Sequence, residues 1–147
     1  MEIHALRIVI SEQWLCRLAV DAMPPDAGMR DVRVRLAAEG VYVYGSYQML
    51  VGVPFEMLWE LSVRAGKIAA KLADVKVARL GAGLLKSTLL GQLAGMAAKI
   101  EGLSLQEDTL LVDLDRLLAS KGYPARTNLR LVRCTEGSLL IESQAPG

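Results

Sequence analysis

The segment from residue 53 to residue 64 constrains the fold more than any other part of the chain, because apolar and polar residues alternate through it. Apolar side chains occupy six successive odd positions: Val53, Phe55, Met57, Trp59, Leu61 and Val63. Most of the even positions are polar: Glu56, Glu60, Ser62 and Arg64. Side chains of a strand point alternately to opposite faces, so this pattern predicts a long strand with one apolar face and one solvated face.

The stretch from about Gly83 to Ile100 is the best candidate to cover that apolar face. Its charged and amide side chains are few, namely Lys86, Gln92 and Lys99. The pattern therefore predicts a helix that is apolar nearly all the way round. Glycines recur in this region, and each costs about 0.5–1 kcal/mol relative to alanine inside a helix. They indicate either close packing against another surface or a frayed segment.

The N-terminal part of the chain predicts a short strand followed by a helix. Residues 6–10 are rich in β-forming side chains, and Ser11 is a suitable N-cap for a helix from Glu12 to about Met23. Apolar residues at helical spacing define the expected buried face of this helix: Trp14, Leu15, Leu18, Ala19 and Ala22.

Alternation with a period of two begins again at Met29 and predicts a meander of about four antiparallel strands. The second strand continues past Gly45, where we expect a bulge or a bend. In the fourth strand Asp74 breaks the alternation, which is typical of a further bulge. The last third of the chain predicts four more strands and a short helix from Asp115 to Ser120.

Length and composition favour a single α+β domain with apolar surface to spare. The 147 residues fit one domain, residues 1–147. The hydrophobic fraction of 52% is above the usual share of about 45–50%. We therefore expect some apolar surface to remain after folding, for a partner subunit, a lipid-filled cavity or a membrane contact.

The charge of the chain excludes nucleic acid as an expected partner. The net charge is +1, far from the cationic profile of proteins that bind phosphate backbones. Arg33 and Arg35 stand near Glu39, and this mixture is typical of the solvated face of a sheet. A patch that binds lipid headgroups is the alternative for these arginines.

The chain lacks the residue sets that catalysis requires, and we expect it not to be an enzyme. His4 is the one histidine, and Cys16 and Cys134 are far apart without a CxxC spacing. A buried structural role for Cys134 is preferred over a pair with His4. Lys86 and Ser87 follow two glycines without the Walker spacing, so no phosphate loop, cofactor or metal is expected.

Carboxylates that could serve as a general acid and base occur at Asp108, Asp113 and Asp115. Their spacing places Asp113 and Asp115 on the polar face of a strand or at the start of the short helix. Capping of that helix is the ordinary role for such residues.

The N-terminal sequence favours a cytoplasmic protein. It opens with Glu2 rather than a basic run, and Arg7 and Glu12 interrupt the apolar stretch, unlike a signal peptide. No window reaches about 18 uninterrupted apolar residues, so the sequence predicts no membrane-spanning helix. A chain from which a leader had been removed would look the same.

Several motifs together resemble a known family. They are Ser11–Leu15 at a helix start, Gly40–Gly45 in the meander, the apolar helix, and Asp108–Asp115 before a short leucine-rich helix. Over about residues 6–143 the chain resembles a bacterial member of the tubular lipid-binding (TULIP) superfamily, which includes bactericidal/permeability-increasing-like and synaptotagmin-like mitochondrial lipid-binding domains. The resemblance implies a highly curved antiparallel sheet wrapped around a long apolar helix, with an elongated groove for acyl chains. It also implies end-to-end or side-by-side dimers.

The leading hypothesis is a non-enzymatic carrier or sensor of lipids or other hydrophobic molecules. The residues expected to line its groove are Trp14, Leu18, Met49, Phe55, Met57, Trp59, Leu61, Leu85, Leu89, Leu93 and Met96. Small residues on the apolar helix would leave room for the ligand: Gly91, Ala94, Gly95 and Ala98. The expected partners are a lipid or fatty-acyl ligand, a second copy of the chain and a transient membrane contact. The alternative is a structural domain that buries its apolar surplus in a homodimer and binds no small molecule.

Overall fold

The computed structural model describes residues 7–22, 28–48, 52–77, 82–124 and 126–143. Within them, nine strands and three helices follow one another along the chain. Their bounds are β1 (Arg7–Ser11), α1 (Glu12–Ala22), β2 (Met29–Ala37), β3 (Gly40–Gln48), β4 (Gly52–Arg64), β5 (Lys67–Val77), α2 (Ala82–Ala97), β6 (Leu103–Gln106), β7 (Thr109–Val112), α3 (Leu114–Ser120), β8 (Leu129–Thr135) and β9 (Ser138–Ser143).

Six strands form one antiparallel sheet in the order β2-β3-β4-β5-β7-β6. Strands β2 to β5 are the meander that the alternation predicts. In β4 the odd positions Val53, Phe55 and Met57 are buried, whereas most even positions are exposed. The prediction of a long strand with one apolar face is therefore confirmed.

The alternation breaks in β5 because this strand carries a bulge. Asp74 and Leu72 pair with two successive residues of β4, so Ala73 between them has no partner across the strands. The bulge predicted from the break at Asp74 is confirmed.

The bulge expected at Gly45 lies on the neighbouring strand instead. Gly45 pairs regularly with Phe55. The register of β2 shifts between Arg30 and Arg33, at the level of Gly45, and Asp31 inside this bulge has a φ of 54°. A Cβ atom on Gly45 would lie 2.8 Å from the Cζ atom of Phe55. Glycine is thus required at this position to leave space for the ring, and not to bend its own strand.

The other three strands form a second antiparallel sheet in the order β1-β9-β8. Together with α1, this small sheet packs against one end of the large sheet. The cluster between them, which we call the main core, has these buried residues: Val34, Leu36, Leu129, Val132, Cys134, Leu139 and Ile141. Leu36 is completely buried.

Helix α2 covers the other end of the same face of the large sheet. Its main contacts are with β5 and β6. The cluster beneath it, which we call the α2 core, has these buried residues: Phe55, Met57, Leu72, Val75 and Leu89. The apolar face of β4 is therefore shared between two covers, the small sheet at one end and α2 at the other.

The expected architecture of one curved sheet wrapped around a long apolar helix is wrong. The described chain is mostly antiparallel β-structure divided between two sheets, and its helices are short. Helix α2 has 16 residues and contributes none of the residues of the main core. The physical reason is that β8 and β9 pair with β1 into a sheet of their own. This sheet takes the covering position that the sequence pattern assigned to the helix.

The helix starts follow the sequence closely. The Ser11 hydroxyl accepts a hydrogen bond from the backbone N–H of Trp14 at 3.2 Å, and the Asp113 carboxylate accepts one from the N–H of Arg116 at 3.2 Å. The predicted cap at Ser11 is confirmed, and Asp113, one of the two carboxylates considered for the short helix, caps α3. Among the residues that the structure describes, no helix combines the length and the apolar character needed to cross a bilayer.

Candidate functional site

The α2 core brings together four residues that the sequence assigns to a ligand groove. Phe55 and Met57 come from β4, Leu89 comes from α2, and all three are buried in one cluster. Trp59 is partly buried and packs against the same cluster. They meet because the odd positions of β4 face the side of the sheet on which α2 lies.

Other predicted groove residues lie elsewhere. Leu61 packs against the main core, and Leu93 is partly exposed on α2. Met49 lies outside the described residues, and so do the side chains of Leu85 and Met96. The structure therefore does not bring the whole predicted set to one place.

Helix α1 is rotated relative to the expected orientation. Trp14 and Leu18, predicted to face the interior, are each 48% exposed. The residues turned toward the main core are Leu15, Cys16 and Ala19. The prediction that Trp14 and Leu18 lie on the buried face is therefore wrong.

Hydrogen bonds to the outer edge of β2 explain this rotation. The Glu12 carboxylate accepts a hydrogen bond from the backbone N–H of Leu36 at 3.0 Å. The Cys16 thiol accepts one from the N–H of Val34 and donates one to its carbonyl, both at 3.1 Å. Turning Trp14 inward would break these bonds and leave polar groups of the edge strand unpaired, which costs free energy.

A polar pair lies beside the α2 core. The Gln92 side-chain nitrogen Nε2 donates a hydrogen bond to the hydroxyl of Tyr47, with a distance of 3.4 Å. Tyr47 itself packs against the α2 core. The other amide atom, Gln92 Oε1, is buried and has no hydrogen-bond partner within the described part of the chain.

The buried oxygen Gln92 Oε1 is a hydrogen-bond acceptor that lies beside an apolar cluster. Burying an unpaired polar atom costs about 1–3 kcal/mol. The site therefore holds a polar group for which an external partner would be favourable.

The exposed side chains of α2, among those described, are small. They are Ser87, Gly91, Ala94 and Gly95, and Ala98 just after the helix is exposed as well. A Cβ atom at Gly91 or Gly95 would have no neighbour within 4 Å among the described residues. These residues lie on the side of α2 away from the sheet, so the expectation that they make room beside the sheet is wrong.

The thiol of Cys134 lies in an apolar environment. Cys134 is buried in the main core, and burial raises the pKa of its thiol, which disfavours the reactive thiolate. The burial expected for Cys134 is confirmed. His4 lies outside the described residues, and within them no group of three or more His, Cys, Asp or Glu side chains could hold a metal ion.

The sequence does not by itself reveal the Tyr47–Gln92 pair, although it carries a signal for each residue. Gln92 is the one amide in an otherwise apolar stretch, and such an isolated polar residue usually has a partner when it is buried. Tyr47 occupies an odd position of β3, as do the partly buried residues Val41 and Val43. Only the tertiary structure shows that the two residues meet.

Comparisons of the chain with family models, with curated proteins and with solved structures find no match. The resemblance to tubular lipid-binding proteins therefore stays a prediction.

Proposed function

We propose that the protein binds an amphipathic lipid or fatty acid at the α2 core and does not transform it chemically. The observation that carries this proposal is the buried, unpaired Gln92 Oε1 beside an apolar cluster. A hydroxyl or protonated carboxyl group of a ligand would donate a hydrogen bond to this atom. The ligand would thereby remove the cost of an unpaired acceptor.

The apolar part of the ligand would contact Phe55, Met57 and Leu89. Burial of hydrocarbon contributes about 25 cal/mol per Å², and a methionine side chain adapts to chains of different shape. Because these side chains are buried, the ligand enters only when α2 moves away from the sheet. The main contacts of α2 are with β5 and β6, so this movement leaves the main core intact.

Substitution of Gln92 tests the proposal. Titration of oleic acid into delipidated protein at about pH 4, where most of its carboxyl groups are protonated and can donate, should show binding. Gln92→Leu should weaken this binding about ten-fold, since one hydrogen bond is worth about 1.4 kcal/mol. Gln92→Leu should be at least as stable as the wild type, because it removes the unpaired acceptor. The exposed glutamine of α1 provides the matched control, Gln13→Leu, which should bind normally.

Two results would contradict the proposal. One is a wild-type protein that takes up no oleic acid. The other is unchanged affinity in Gln92→Leu, which would show that the amide does not contact the ligand.

A second candidate function is homodimerisation through the exposed side of α2. The observation that favours it is the open space at Gly91 and Gly95, which would let a second helix approach closely. In native mass spectrometry a ligand-free dimer would support this candidate, whereas a monomer that carries acyl chains would support lipid binding. Gly91→Trp should disrupt such a dimer and leave oleic acid binding intact, because Gly91 faces away from the sheet.

A further inference from the structure

The outer face of the large sheet, on the side away from α2, carries three arginines from its edge strand β2. Arg30, Arg33 and Arg35 are all exposed. Arg33 pairs in register with Tyr44, Arg35 with Tyr42 and Arg30 with Ser46. Because directly opposite residues share a face, the three guanidinium groups lie on the same side of the sheet as the two tyrosines.

The tyrosines support the arginines. The rings of Tyr42 and Tyr44 stack with centroids 6.2 Å apart and an angle of 18° between their planes. The guanidinium carbon of Arg35 lies 4.8 Å from the centre of the Tyr42 ring, a cation–π contact. We call Arg30, Arg33, Arg35, Tyr42 and Tyr44 the arginine–tyrosine face.

Two carboxylates, those of Glu39 and Glu56, lie beside the tyrosines of this face. Glu39 accepts a hydrogen bond of 2.7 Å from the Tyr42 hydroxyl. Glu56 of β4 pairs in register with Tyr44 of β3 on one side and with Lys76 of β5 on the other. Across the described ranges, no ion pair involves an arginine of the face. The three guanidinium groups are therefore available to an external anion, although the net charge of the chain is only +1.

We propose that the arginine–tyrosine face docks the protein on the surface of an anionic membrane. This inference rests on the proposed function, since a lipid-binding protein must meet the membrane that holds its ligand. Arginine recognises phosphate well, and tyrosine is enriched where membrane and water meet. Single-stranded nucleic acid is the less suitable partner, because its bases would have to stack on the tyrosine rings. The rings of Tyr42 and Tyr44 already face each other, and Arg35 lies over Tyr42, so little ring surface is free for bases.

Cosedimentation with vesicles tests the proposal. The wild type should bind phosphatidylcholine vesicles that contain phosphatidylserine and should not bind phosphatidylcholine alone. Each arginine near an anionic surface changes partition about five-fold, so the double variant Arg33→Gln/Arg35→Gln should bind about 25-fold more weakly. Raising the salt concentration to about 1 M should release the wild type, because the screening length falls to about 3 Å.

The matched control removes the same charge elsewhere. Lys99 and Lys121 are exposed outside this face, so Lys99→Gln/Lys121→Gln should keep wild-type binding to anionic vesicles. Equal losses in both double variants would overturn the proposal, because they would show a response to net charge alone. Two further results would overturn the proposal. One is binding to vesicles of phosphatidylcholine alone, and the other is arginine-dependent binding to polyuridylate that is tighter than binding to vesicles.

This test is independent of the oleic acid titration. The arginines and Gln92 lie on opposite sides of the sheet, so the arginine variant should bind oleic acid normally. Loss of vesicle binding with intact oleic acid binding in Arg33→Gln/Arg35→Gln would support the docking surface. Loss of oleic acid binding with intact vesicle binding in Gln92→Leu would support the ligand site.

Discussion

Single side chains of α1 complete the edge of the large sheet. The outer backbone groups of β2 pair with no strand in the described chain, and Glu12 and Cys16 bond to them instead. The backbone N–H of Gly137, in the turn between β8 and β9, donates to the carbonyl of Leu36 at 3.0 Å. Open sheet edges invite pairing with other chains, so these contacts both hold α1 and protect the edge.

Replacement of Glu12 should show the value of this contact. We expect Glu12→Ala to destabilise the protein by about 1–3 kcal/mol, because it leaves the N–H of Leu36 without an acceptor. Glu12→Gln keeps an acceptor oxygen and should recover most of the loss. Urea unfolding measures the difference, and Gln13→Ala on the same turn is the control. Equal stability of Glu12→Ala and Gln13→Ala would refute this role of Glu12.

Residue-scale prediction succeeded where the cause is local. The sequence predicts the cap at Ser11 and offers Asp113 and Asp115 for the short helix, because a cap acts within its own helical turn. The second role of Glu12 was not predictable, since its hydrogen-bond acceptance depends on Leu36, 24 positions away in the chain.

At the scale of elements, glycines in α2 and β3 have opposite roles. Gly91 lies on the exposed side of α2 with open space around it, so its substitution meets no neighbour. Gly45 lies under the ring of Phe55, where a Cβ atom would be 2.8 Å from the Cζ atom. The sequence alone indicates the same role for both glycines, an interruption of a helix or strand.

Alanine substitution should separate these two roles. Gly91→Ala should stabilise the protein by about 0.5–1 kcal/mol, since alanine is the better helix former. Gly45→Ala should destabilise it by about 1–3 kcal/mol, because the added methyl group forces Phe55 to move. Thermal unfolding of both variants gives the comparison. A loss of stability in Gly91→Ala would mean that another surface, such as a second copy of the chain, packs closely on this side of α2.

Of the two bulges in the large sheet, the sequence could reveal only the one in β5. The bulge at Ala73 was predictable because it shifts the alternation of β5 itself. The bulge of β2 was placed on the wrong strand, because Gly45 indicates a special position but does not say whether it accommodates a bend or a neighbouring ring.

At the scale of the whole molecule, the two covers of the large sheet should differ in stability. Strand β4 is hydrogen-bonded on both sides, to β3 and β5, and it contributes to both clusters. Helix α2 contacts the sheet mainly through β5 and β6. Opening of α2 should therefore require less free energy than global unfolding.

Native-state hydrogen exchange measures this difference directly. Backbone amides of α2 should exchange through an opening of lower free energy than amides in the middle of β4 and β5. Such an opening is also the route by which a ligand would reach the α2 core. If α2 amides exchanged only by global unfolding, the helix would be a fixed part of the core and the entry route would be ruled out.

The sequence by itself determined the one-sided strand β4, the meander from β2 to β5, the bulge of β5 and the cap at Ser11. These features depend on side-chain alternation and on contacts within one turn, both of which are local in the chain. The tertiary structure alone decided the division into two sheets, the rotation of α1 and the position of α2. The reason is that these depend on pairing between distant segments, as between β1 and β9, and on backbone groups of β2 that need partners from elsewhere.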